Sequence, residues 1–190
     1  MQKQLAAIVA SLESAQTRLH RLADQLPDAR WKSRPGPGQW SAAECIEHLN
    51  LTSRAYIPLL RHALEVGTKP ASPPTRYRKD FLGGLFAALV GPLPRIAKKR
   101  LGRVNTTGEF MPQPRATRVE TVAEFDRLQA DLIAITRQAE GFPLGEMKIV
   151  SPFGGKIRYN VYSALVILWR HEERHLQQAE EAATVGKTAN

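Results

Sequence analysis

His171 and His175 stand four residues apart in a stretch, residues 160–183, whose apolar side chains recur at helical spacing, so both imidazoles project from one helix face about one turn apart. They prolong the stripe of Val161, Ala164, Leu165 and Leu168, which turns them toward an interior where unpartnered polar groups are costly. A divalent ion bonded at roughly 2.0–2.1 Å per nitrogen would remove that cost. A carboxylate partner, or exposure at the polar end of the helix, would remove it too. His48 is the third candidate. It shares one side of its own helix with Cys45, Leu49, Thr52 and Tyr56 and so faces inward. Three inward imidazoles from two helices suit an open metal site with room for water or substrate. His20 and His62 lack this setting and read as surface or packing residues.

The run His171-Glu-Glu-Arg-His175 also matches H-E-x-x-H, the zinc-protease helix motif whose Glu is the general base. Glu180 and Glu181 lie too close on the same helix to close such a site as third ligand, so Glu172 is expected to face solvent or to orient a neighbour. Arg174 reads as a partner of Glu44 or Glu47, or equally as an anion contact. Gln178 reads as a residue that orients a neighbour, Cys45 as a small buried hydrophobe, and Trp40 and Trp169 as core or pocket wall.

The elements that must position these residues are legible in part. Residues 2–26 place Leu5, Val9, Leu12, Leu19, Leu22 and Leu26 on one helical face, stopped by Pro27 and the Arg34-Pro-Gly-Pro-Gly38 loop. Ser41 with Glu44 forms a capping box for a second helix that runs to about Val66. Thr121 with Glu124 offers the same signature for a third helix ending at Gly141, and Asn160 caps the fourth. Residues 147–159 fit a small hairpin or an ordered loop. The pattern predicts an all-α four-helix bundle, one domain over residues 1–190. The gap at 67–119 is far longer than a bundle loop and permits a crossover between helices two and three, with one short helix near residues 81–90.

Charge is unevenly spread. Of 27 Lys and Arg, eleven fall between Lys69 and Arg118 against only Asp80 and Glu109, so this stretch carries the whole net charge of +9. Seven of the 13 prolines lie there too. Its cations with Phe81, Phe86 and Phe110 admit contact with nucleic acid or an anionic membrane, or a cover over the metal cleft that draws in anions. A solvated crossover is the preferred expectation, with neither nucleic acid nor membrane as partner. A single cysteine excludes intrachain disulfides and cysteine-based zinc clusters, and no leader or spanning segment is visible, so a cytoplasmic protein is expected.

Trp40-Ser41-Ala-Ala-Glu44-Cys-Ile-Glu-His48-Leu49 and His171-Glu-Glu-Arg174-His175-Leu-Gln-Gln178, with Phe153-Gly-Gly-Lys156 before the last helix, closely resemble the DinB-like superfamily, which includes YfiT-type metal-dependent hydrolases and bacterial thiol S-transferases. The resemblance spans residues 5–183. It implies a four-helix bundle with a long crossover and a divalent metal, zinc or nickel, on three histidines that match His48, His171 and His175. It further implies a metal-dependent thiol S-transferase or hydrolase acting on small molecules, with a low-molecular-weight, anionic thiol as co-substrate. The alternative is a non-enzymatic protein whose basic crossover contacts nucleic acid or anionic membrane. An apolar crossover also fits a homodimer.

Overall fold

The computed structural model describes residues 1–92, 95–96, 99–100, 108–113, 116–154 and 156–184. Of the cations and prolines counted between Lys69 and Arg118, Lys98, Arg103, Arg115, Pro94 and Pro114 lie outside these, as does Gly155 of the Phe153-Gly-Gly-Lys156 run. In chain order the elements are helix α1 (Lys3–Gln25), the single turn α2 (Asp28–Trp31), α3 (Ala42–Val66), α4 (Phe81–Val90), strands β1 (Arg95–Ile96) and β2 (Lys99–Arg100), a 3-10 turn (Gly108–Phe110), α5 (Arg118–Gln138), strands β3 (Lys148–Val150) and β4 (Arg158–Asn160), and α6 (Val161–Thr184). Each strand pair is an isolated antiparallel ribbon, and β3 with β4 forms the small hairpin.

The four long helices make the bundle. α1 and α3 each pack on both α5 and α6. Side-chain pairs fix the directions. On α3, Asn50, Arg54 and Arg61 meet residues 121, 124 and 131 of α5 in the same order, so these helices run parallel. On α1, Glu13 meets Arg137 and His20 meets Asp126, so α1 opposes α5. The long connection from α3 to α5 follows from that parallel pairing, because the chain must return along the bundle before α5 can begin.

Local signals set most ends. Ser41 caps α3 through the predicted box, its hydroxyl accepting from the Glu44 amide while the Glu44 carboxylate accepts from the Ser41 amide. Asn160 caps α6 by accepting from the Ser163 amide. The α5 cap differs from expectation. Thr117 and Glu120 form the box, Thr121 lies inside the helix with its hydroxyl on the Thr117 carbonyl, and Glu124 pairs with Arg54 and Arg127. The two boxes are offset by about one turn, and the earlier start buries Thr121 against α3.

The core has two parts. One gathers Leu5, Leu12, Tyr56, Leu60, Leu132, Ile167 and their neighbours, the other Leu19, Trp31, Ile46, Leu49, Phe125 and Leu176. On α5 and α6 the residues between them are polar and buried: Gln129, His171, Glu172 and His175. A polar layer therefore crosses the bundle at mid-height, and His48 of α3 joins it.

Candidate metal centre

His48, His171 and His175 are all buried, and one nitrogen from each lies within 4.8 Å of the others. Ring centroids are 5.0 Å apart for His48 and His171, 4.6 Å for His48 and His175, and 4.5 Å for His171 and His175. The sequence-predicted trio is thus one cluster. His20 is exposed and pairs with Asp126, and His62 is exposed beside Glu65.

The proton positions follow from the partners. His48 Nδ1 lies 2.8 Å from the Phe110 carbonyl, which can only accept, so Nδ1 carries the proton and Nε2 presents its lone pair. That Nε2 lies 3.2 Å from His171 Nε2. Two nitrogens bound to one tetrahedral ion at roughly 2.0–2.1 Å would stand roughly 3.3 Å apart. A single N–H···N bond accounts for this one pair but not for the third ring converging on both. His171 Nδ1, fully buried, has no hydrogen-bond partner among the described residues. Burial holds the His171 imidazole well below its ordinary pKa, helped by His48 and the positive Arg174, and burial likewise lowers His48 with Arg174 adding to it. Neutral imidazoles are the form that binds metal. The donor set of three nitrogens suits zinc, nickel or copper rather than magnesium or calcium. The residues present fit a divalent ion, and the three buried histidines can bind one.

Aromatic rings enclose the cluster. Trp40 stacks on His175 at 5.6 Å and leans on His48 at 4.9 Å, which makes it pocket wall. Phe153 sits edge-on to His171 at 6.1 Å and touches Phe110 at 4.4 Å. Glu44, one turn before His48, is not Arg174's partner. Burial alone would raise its pKa, but the Arg34 guanidinium and the Ser41 amide and hydroxyl hold it below the usual carboxylate range. Arg174 instead donates to the Leu89 carbonyl of α4. Cys45 is buried in the second core part, as expected of a small hydrophobe.

A family model described as the DinB superfamily matches residues 11–179. The chain belongs to the DinB superfamily. Neither the curated proteins nor the solved structures gave a match to it. No helix among the described residues is long and apolar enough to cross a membrane.

Two features escape the sequence. Glu172 is not solvent-facing. It lies one residue, about a quarter turn, past His171, which aims it at α5, where Gln129 donates to its Oε2 at 2.7 Å. Its other oxygen has no partner among the described residues, and burial pushes its pKa up to about 8, against which the Gln129 bond acts only partly. The second is the Phe110 carbonyl. It is a backbone group at the end of the crossover, and no side-chain pattern marks which carbonyl will orient a histidine.

Proposed function

We propose that this DinB-superfamily protein is a metal-dependent enzyme of small molecules, a thiol S-transferase in preference to a hydrolase, with His48, His171 and His175 holding a zinc or nickel ion. The observation that carries the reading is the convergence of three buried imidazoles with aromatic walls and, among the described residues, no acidic side chain in the cluster. Three protein ligands leave coordination open, and a bound divalent ion would supply Lewis acidity that favours the deprotonated form of a thiol or water.

The chain's own groups determine which of these is better served. Phe110 fixes the His48 tautomer through Nδ1, so the lone pair on Nε2 is held toward the other rings without rearrangement. Trp40, Phe110 and Phe153 exclude water and lower the local dielectric. Arg174 places positive charge near His48 and His171, which favours an anionic nucleophile and keeps the imidazoles neutral. A hydrolase commonly adds a carboxylate or similar base to assist the proton loss of metal-bound water. Of the nearest carboxylates by sequence, Glu44 is held by Arg34, and Glu172 is turned to Gln129 on the α5 side with its other oxygen unpaired among the described residues. A thiol starts from a pKa of roughly 8.5, far below that of water, so beside a bound ion it needs less help to ionise.

Elemental analysis of the untagged protein tests the site, with near-stoichiometric divalent metal expected in the wild type and lost in a His171→Ala, His175→Ala double variant. Thiol-dependent consumption of a model electrophile, abolished by chelation and by His48→Ala, tests the reaction. Wild-type protein that stays metal-free after reconstitution refutes the reading.

A further inference from the structure

Helix α4 has its side chains arranged inside out. The residues it turns to the bundle are Gly83, Ala87 and Val90, while Phe81, Leu82, Leu85 and Leu89 face outward, Phe81 being 84% exposed. Nothing about packing on α6 requires this. The contact is so close that a methyl at Gly83 would lie 2.6 Å from Asp80 Oδ1 and overlap Ser163, so no side chain fits at that position, while Phe86 packs on Phe153 and Tyr159 and Val90 is buried. Phe81, Leu82, Leu85 and Leu89 go to the surface, where an ordinary surface helix carries polar side chains. The helix is held firmly in this pose. Asp80 caps it at Gly83 and accepts from Ser163 Oγ and the Asn160 amide, and the Ala87 and Leu89 carbonyls accept from Arg170 and Arg174.

The surroundings are cationic. Arg76, Arg78 and Lys79 lead into α4 and are exposed, and β4, which packs against α4, exposes Arg158 after the exposed Ile157. Asp80, the one acid in this stretch, is taken up by its cap. A second copy of the chain would bring the same cations face to face. A nucleic acid would satisfy the cations but offer nothing to three leucines. One surface complements both features: acyl chains beneath a layer of negative headgroups.

We infer that the outward face of α4, with Arg76, Arg78, Lys79 and Arg158, docks the protein on anionic phospholipid bilayers. The helix lies in the interface plane and does not span. Phe81, Leu82, Leu85 and Leu89 enter the headgroup boundary, and the cations engage the phosphates.

The test is flotation of the full chain with phosphatidylcholine vesicles, with and without phosphatidylglycerol. Wild type floats with the anionic vesicles only, and raised salt weakens but does not abolish binding. Leu82→Gln with Leu85→Gln, both at exposed positions, keeps the wild-type melting temperature and binds roughly tenfold more weakly or less. Leu85→Cys carrying a polarity-sensitive dye shifts to the blue on anionic vesicles, and Cys45, being buried, does not take up the label. Three results overturn the inference: a dye that does not shift, a double variant that binds as well as wild type, which assigns the contact to charge alone and to polyanions such as DNA, or a wild-type dimer in light scattering that the double variant dissociates, which makes a second copy the occupant.

Discussion

Replacing His171 by leucine should separate the stabilities of wild type and variant widely only when metal is present. In chelated protein the wild type buries an imidazole whose Nδ1 has no partner among the described residues, at a cost of about 1–3 kcal/mol. Leucine is of similar bulk and sits among Phe153 and the other rings without that cost, but it leaves His48 Nε2 without its 3.2 Å partner, so the two effects offset and the chelated variant should stay within about 1 kcal/mol of wild type. Free metal at about 100 times its dissociation constant adds about 2.7 kcal/mol to a protein that binds it only when folded. For a chain of this length each kcal/mol moves the melting temperature by about 2–4 °C, so the wild type should gain about 5–11 °C. The variant, left with two of the three nitrogens, should gain far less. Thermal unfolding followed by circular dichroism, in chelator and then in zinc or nickel, reads all four values. The reasoning is refuted if no divalent ion shifts the wild type while the chelated variant melts well below it, since the imidazoles would then be a packing cluster.

Three further outcomes follow from particular contacts. In chelated protein the Glu172 carboxyl, raised to about 8, gives stability that is complete below the ordinary carboxylate range and is lost as pH rises toward about 8; the wild-type urea midpoint relative to that of Glu172→Gln should fall across that window, the lowered His48 and His171 acting with the opposite sign on both proteins alike. Thr117→Ala removes the α5 cap and should cost about 1 kcal/mol, read as a melting temperature lower by about 2–4 °C. Gly83→Ala forces α4 off Ser163 and Asp80 at a cost of about 1–3 kcal/mol, and hydrogen exchange should quicken in α4 before the four long helices respond.

The sequence made the histidine face readable because helical periodicity is strongest where a stripe is long: Val161 to Leu168 aim His171 and His175 without further information. The Ser41 box was legible because the Pro-Gly loop before it cannot be helical. The α5 start was not, because Thr117-x-x-Glu120 and Thr121-x-x-Glu124 satisfy the same rule, and they are distinguished by Arg127 and, from α3, Arg54, which claim Glu124. Glu172 was misread for a related reason. Its helix alone looks half polar, but α6 meets α1, α3 and α4, which leaves few directions open to solvent.

The parallel run of α3 and α5 also governs when the histidine cluster can exist during folding. His48 and His171 are 123 residues apart in sequence, and Tyr56, which bonds Tyr159 through its buried hydroxyl, is 103 from its partner. Closing α3 on α6 spans the crossover and all of α5, so these contacts have high separations, exceeded by α1–α6 pairs such as Arg18 with Glu180 at 162, and form after the local helices. The three nitrogens therefore meet only in a nearly complete fold. An ion held by them would leave the folding rate unchanged and slow unfolding, so its benefit is persistence of the native state once reached.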